Sequence, residues 1–589
     1  MEKRLGLAFV LTALLMIVWY WIAPPVPPQP PVGAGADSAA AVAAPATAPV
    51  PGAPAAAPGQ LPGAPRVPAR TVSVRSPLYE YDFSTRGAAL LGAELLKHRS
   101  YVNRGQNVQL VPRGATDVLT HRVVSAGRTL DLSTADFQPS ATRIDLREGD
   151  APRELRFTYA PGGTPVAEIT YTFRANDYIV DVRGRLLGLG GSGTLYTSLG
   201  PGLAPHDAVE HAQERELSLV AWDTGRERVE RIHSRKVAAA DTVAGPLRWA
   251  GFRDRYFLLA LINPGGRQFT TVTVQPGRAE TYQVKGKALV SPRAPAVTAL
   301  PVGPDGAFAM QAYLGPLEHG RLAAAGHELD EVNPYGYRWL RPVVRPIAEV
   351  VLWVLRELHD NLGLAYGAVL ILFGFMVRLV TWPLNAKAGR AQMKSMAVQP
   401  QLQARMKEVQ EKYASDPTRM QKEMMAVYGE LGVSPFSMMS GCLPLLIPMP
   451  VLITLFFVFQ GAIEFRGARF AWLPDLSLTD PWHILPIFLI GSMFALQWIT
   501  SRLSGMEQNA QTRTMMYTMP IMMGVFFWWM PAGLNLYYAA TNIASLPQQT
   551  LLAMERRRAT EKHKAEEAAK KPRTAPTRSG SREQPKRRR

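Results

Sequence analysis

Uncharged apolar runs long enough to cross a bilayer set the first constraint on this chain. Residues 5–23, LGLAFVLTALLMIVWYWIA, are 19 positions without a charge, placed directly after Lys3 and Arg4. A spanning helix needs about 20 apolar residues to cross roughly 30 Å of hydrocarbon. The run exceeds the apolar core of a removed secretory signal, about 7–15 residues, and no small-residue cleavage site directly follows it. It reads as an uncleaved signal anchor. Five further spans are expected at 363–383, 437–461, 484–502, 515–531 and 533–554. The second should end at Trp382–Pro383, and a tight turn at Pro531-Ala532-Gly533 should join the last two.

Lysine and arginine bias orients such a bundle. Lys3 and Arg4 hold the N-terminus inside. Loop 384–436 carries eight basic and five acidic residues, and tail 555–589 carries 14 basic and five acidic. Loop 462–483 has only Arg466 and Arg469 against Glu464, Asp475 and Asp480. Six spans then put both termini and loop 384–436 in the cytoplasm, and residues 24–335 outside. A mean hydropathy of −0.04 looks soluble only because it averages two unlike halves.

The outer half begins with a spacer. Residues 24–68 hold 14 prolines among alanines and glycines. Such a segment buries no core and extends by roughly 3 Å per residue. Residues 71–330 then show short alternating runs, among them ELRFTYA, AEITYTFRA, YIVDVRGRL, RYFLLALI, FTTVTV and TYQVKG. Turn residues separate them, the spacing of an all-β sandwich. GLGGSG at 188–193 matches a dinucleotide fingerprint only in letters. No amphipathic helix follows it, so it reads as a glycine-rich turn. One cysteine, Cys442, excludes an intrachain disulfide framework and a multi-cysteine zinc site. No metal or cofactor is expected.

Within 336–360 an amphipathic helix is expected to lie in the outer interface. Pro346 should open it, and Ile347, Val350, Val351, Val354, Leu355 and Leu358 form one apolar stripe. A core-packing helix is the plainer alternative. Inside the spans, Arg378 is the one charge of 363–383. A guanidinium there either snorkels to the inner interface or faces a hydrated cavity. Arg378, Thr381 and Asn385 share a helix face at i, +3, +7. Gln497, Thr500 and Ser501 close the fourth span, and Thr514 and Thr518 open the fifth. Asn535, Asn542, Ser545 and Gln549 stripe the last. Each alone could be helix–helix glue. Together they suggest a recess open to the cytoplasm.

Residues 386–431 read as two helices of a cytoplasmic hairpin. Asp416 should cap the second and Pro417 should stand in its first turn. Leu402, Met406, Val409 and Tyr413 face Met420, Met424, Val427 and Leu431. The basic tail suits anionic lipid, or ribosomal RNA through sequence-independent attraction. The net charge of +18 is therefore read by its location.

FMVRLVTWPLNAKAGRAQMKSM, QPQLQARMKEVQEKY, CLPLLIPMPVLITLFFVF and WWMPAGLNLYYAATNIASLPQQ, in this order, carry a resemblance. From about residue 335 to 554 the chain resembles the YidC membrane protein insertases of Gram-negative bacteria, of the wider Oxa-type family. Residues 71–325 stand where that family has its periplasmic β-supersandwich. The resemblance implies a polytopic α-helical protein of the bacterial inner membrane, with six transmembrane helices, a large periplasmic all-β domain and a cytoplasmic hairpin. It implies a non-enzymatic insertase and chaperone acting on nascent membrane proteins, alone or with the Sec translocon (SecYEG, SecDF), near the ribosome. The implied hydrophilic groove centres on Arg378, with Thr381, Asn385, Gln497, Thr518 and Asn542 placed around it from the stripes. The implied greasy slide falls on Leu452, Phe456, Met522 and Phe526. A secondary transporter or channel with a cytoplasm-facing anion site is the alternative, though no inverted repeat supports it. An intramembrane enzyme lacks a candidate nucleophile and base in the spans.

Overall fold

Alternation of side chains builds the first half of the molecule. Ala167–Phe173 buries every second residue, and the runs expected as strands become strands at Arg153–Tyr159, Ala167–Phe173, Ile179–Leu186, Phe257–Ile262, Phe269–Val274 and Glu280–Val284. The computed structural model describes residues 68–570 except 104, 189–190, 208–211, 285, 334–340, 415, 431–448 and 505–509. It describes backbone alone at 212, 391–401, 403, 417, 449–450, 460, 504, 510–516, 560 and 563–570. The expected signal anchor, nearly all of the spacer, the first half of span 437–461 and the end of the tail lie outside the described residues.

Three sheets make the β-domain. A 14-stranded sheet has Phe257–Ile262 between Asp241–Arg253 and Ala307–Pro316, all antiparallel. Every residue of FLLALI is buried, which is why this strand reads as a continuous apolar run. A five-stranded sheet joins Thr71–Arg75 to Arg143–Asp145 in parallel, and a hairpin pairs Glu280–Val284 with Lys287–Ser291. Trp249, Tyr79, Tyr81, Phe83 and Phe157 fill the core with no exposed surface. At the end of the glycine-rich stretch 188–193 the described chain enters strand Gly193–Gly200 rather than a helix. Two short helices complete the domain, α1 (Ala212–Glu216) and α2 (His319–Ala325).

Buried histidines make this domain sensitive to acid. Burial pushes His121 down to about 4. Burial, and then the Arg466 guanidinium, push His206 and His98 down to about 3. Burial raises Asp254, 3.2 Å from His206, to about 7. Between about pH 6 and pH 5 the unfolded chain therefore holds three imidazole protons that the folded chain lacks. The folded chain holds one carboxyl proton that the unfolded chain lacks. The unfolded state binds more protons, so stability falls as pH falls, each net proton being worth about 1.4 kcal/mol per pH unit. The melting temperature of the full chain in detergent should drop between about pH 6.5 and about pH 4.5, and His121→Gln should flatten the drop. A flat profile for the native chain would contradict this account.

Helices make the second half: α3 (Arg341–Leu362), α4 (Tyr366–Lys412), α5 (Pro417–Glu430), α6 (Met449–Gly461), α7 (Ile484–Ser504), α8 (Ala510–Trp528) and α9 (Ala532–Lys570). Among the described residues, Tyr366–Arg390 and Ile484–Leu503 are long and apolar enough to cross a membrane, while Tyr517–Trp528 is a shorter apolar helix. Helix α4 packs along α9, α9 along α7, α7 along α8, and α3 along α6. Small residues allow the close approach of α4 and α9. A Cβ on Gly374 would stand 3.1 Å from the Tyr537 carbonyl, and one on Gly389 would stand 3.0 Å from Leu552.

Two expectations are corrected. Helix α4 does not end at Trp382–Pro383; it continues through both residues to Lys412. Its neighbour α9 supports it there, with Gln548 Nε2 donating to the Trp382 carbonyl at 2.8 Å and Arg390 paired with Glu555 at 3.1 Å. Pro346 does not open α3, which already runs from Arg341. Arg345 binds Asp330, Glu331 and Glu349, holding that earlier turn. The buried row of α3 is accordingly Val344, Ala348, Val351, Leu352 and Leu355, while Val350 is 60% exposed.

The end of α4 and helix α5 meet through Leu402, Val427 and Tyr428, with Met406 and Val409 against them. Asp416 Oδ1 accepts the Arg419 backbone N–H at 3.1 Å, the expected cap. Tyr413 instead receives Lys412 and Arg419 over its ring.

Candidate functional site

A guanidinium inside an apolar helix needs a counter-charge, water or a ligand. Arg378 lies on α4 between Val377 and the largely exposed Leu379 and Val380. It is half-buried, its Nε lacks a hydrogen bond, and no carboxylate pairs with it among the described residues. Tyr537 and Tyr538 of α9 are its aromatic neighbours.

The other polar residues divide. Thr381 Oγ1 donates to the Val377 carbonyl at 2.8 Å, and Asn385 Nδ2 donates to the Thr381 carbonyl at 3.0 Å. Both therefore satisfy part of their bonding on their own helix. Asn542 Nδ2 donates across to Ser492 Oγ of α7 at 3.3 Å. Gln497 Oε1 on α7 is buried without a partner among the described residues. Thr518 sits exposed on α8. Asn535 belongs to the opposite end of α9, where its Nδ2 donates to the Phe527 carbonyl at 3.1 Å.

Gln548 was missed by the sequence reading. It is 1% exposed, binds the Trp382 carbonyl one turn from Arg378, and leaves its own Oε1 buried and unpaired among the described residues. Its signal was available in the polar stripe of α9, one residue from Gln549. Ser492 was also passed over. Buried, unsatisfied polar atoms are uncommon in proteins and ask for water or a polar visitor.

Of the apolar candidates, Leu452 and Phe456 are half-buried on α6, with the Phe456 ring 5.3 Å from Phe457. Met522 is 37% exposed on α8. Phe526 lies 5.5 Å from Phe527, which packs at 4.8 Å on Tyr538. Through Phe527 the α8 surface thus touches Tyr538 of α9. No group of three or more metal-ligating side chains occurs among the described residues.

Comparison with known proteins covers both halves. The family profile described as "60Kd inner membrane protein" matches residues 357–560, and "YidC periplasmic domain" matches residues 71–350. "Membrane protein insertase YidC" of Pelodictyon phaeoclathratiforme is 30% identical over 513 residues, 82% of each chain. The protein of that name from Chlorobaculum tepidum is 29% identical over 578 residues, 94% of each chain. A solved structure titled "Active YidC insertase crystal structure with the first transmembrane domain resolved" aligns with a TM-score of 0.30 and 19% identity, covering 81% of this chain and 94% of that one.

Proposed function

The chain belongs to the YidC family, and on that premise we propose that it inserts nascent proteins into the bacterial inner membrane through a hydrophilic groove around Arg378. It is an inner-membrane protein with a periplasmic β-domain. Six spanning helices place both termini, the α4–α5 hairpin and the basic tail in the cytoplasm. The Sec translocon, the ribosome and anionic lipid are its proposed partners.

The guanidinium of Arg378, without a carboxylate partner among the described residues, carries this reading. A polar, acidic stretch of substrate enters the groove and accepts hydrogen bonds from Arg378. The buried acceptors of Gln497 and Gln548 are available to its backbone N–H groups. The cost of moving polar backbone partway across lipid falls accordingly. The substrate's apolar helix passes along Leu452, Phe456, Met522 and Phe526 and partitions into lipid, driven by about 25 cal/mol per Å² of apolar surface removed from water. No step requires covalent chemistry.

A charged hydrogen bond is worth about 1.5–3 kcal/mol. Arg378→Ala should therefore lower insertion of substrates with acidic translocated tails by roughly tenfold or more in cells depleted of their own insertase. Substrates with uncharged tails should suffer less. Arg378→Lys should retain much of the activity if charge alone matters, and little if the guanidinium fork does. Equal insertion of every substrate by Arg378→Ala would remove the groove from the mechanism.

A further inference from the structure

The segment between α6 and α7, residues 462–483, is bound on two sides. Toward the helices, Gly533 N–H donates to the Leu476 carbonyl at 2.9 Å and Ala532 N–H to the Leu478 carbonyl at 2.7 Å. Both donors open α9. Arg356 of α3 holds Glu464 at 2.7 Å, and Phe465, Leu473 and Leu476 are buried in the helical core.

Toward the β-domain, Ile463 is buried in that domain's own core. The Arg466 guanidinium stands 4.5 Å from the Tyr101 ring centre, 5.5 Å from that of Phe257 and 5.6 Å from that of Tyr256. It also donates to the His206 carbonyl at 3.3 Å. Tyr101 Oη donates to Asp475 Oδ2 at 2.6 Å, and the other oxygen of Asp475 accepts from the Ser477 N–H and hydroxyl. Arg255 reaches the Ser477 carbonyl at 3.4 Å.

We infer that residues 462–483 are a strap that locks the β-domain onto the outer ends of the helices, with Arg466 as its latch. Domains joined by a small polar interface ordinarily move against one another. Here one short segment contributes side chains to both apolar cores, and its cation is enclosed by three rings of the β-domain, where desolvation strengthens the attraction. The strap also grips the α8–α9 turn. While the latch holds, the β-domain, α6, α7 and that turn form one body. Its release leaves the β-domain held to the helices chiefly through α3, where Arg345 binds Asp330 and Glu331, and so widens the range of its orientations.

The test uses the full-length chain in lipid nanodiscs. Cys442→Ser removes the native thiol, and spin labels go on Glu148→Cys in the β-domain and Trp529→Cys at the end of α8, both exposed. The distance distribution should be narrow in this parent. Arg466→Ala should broaden it at least twofold. Tyr101→Phe, which removes only the hydroxyl bound to Asp475, should broaden it less while leaving the fold intact. A parent distribution as broad as that of Arg466→Ala, or widths unchanged in both variants, overturns the inference. Insertion activity is not the readout, so the result is separate from that of the groove.

Discussion

Valine in place of Gly251 is expected to destabilise the β-domain by about 3 kcal/mol or more, the upper range for overpacking a filled core. Gly251 lies in Asp241–Arg253 opposite Ala260, with Val220 on its other side. A Cβ there would collide with the Leu259 carbonyl and with Ala260. Most of what it meets is backbone in a strand buried along its whole length, which no rotamer change can move. Denaturation of the full chain in detergent, followed by tryptophan fluorescence, measures the loss. Gly266→Val, with open space around it, is the control and should stay within about 0.5 kcal/mol. Equal stabilities of the two variants would contradict the packing argument.

Leucine at Gly374 is expected to separate α4 from α9. Its Cβ would stand 3.1 Å from the Ala540 Cβ and the Tyr537 carbonyl and 3.2 Å from Thr541 Oγ1, before the rest of the side chain is placed. Without a hydrophobic drive between helices in lipid, close backbone approach is the main source of their association. We expect a cost of about 2 kcal/mol, as for other oversized core substitutions. The contact eight residues on, Gln548 to the Trp382 carbonyl, should be lost with it. The thermal midpoint in detergent and insertion should fall together, and Gly374→Ala should be milder on both. Retained insertion in Gly374→Leu would mean that the α4–α9 seam does not shape the groove.

Much of the β-domain was legible because each strand declares itself locally. The alternation of AEITYTF and the unbroken FLLALI both follow from which faces are covered. Asp416 was equally legible, since a cap needs only its own helix. The end of α4 was not. Proline weakens a helix by local rules, yet the side-by-side contact with α9 outweighs it, and that contact lies some 160 residues away in the chain. The apolar face of α3 was mostly legible: Val351 and Leu355 are buried and Ile347, Val354 and Leu358 pack against the same core, while Val350 is turned out. Arg378 stood out as a charge in an apolar run, but its neighbours did not. Thr381 and Asn385 share its face and still turn their bonds back onto their own helix. Arg466 read as an ordinary loop cation, because the rings that enclose it come from Tyr101, Tyr256 and Phe257.

Helix α4 runs 47 residues without a break. At 1.5 Å per residue that is about 70 Å of helix, more than twice the thickness of the hydrocarbon layer. Near one end Gly367 abuts Phe470, and toward the other the helix bears the apolar contact with α5. Pro383 and Pro400 stand between those two contacts, and neither has an N–H to give to the helix ladder. A load taken up at the α5 contact therefore reaches Phe470 as a change of tilt, shared with whatever bend those two prolines allow.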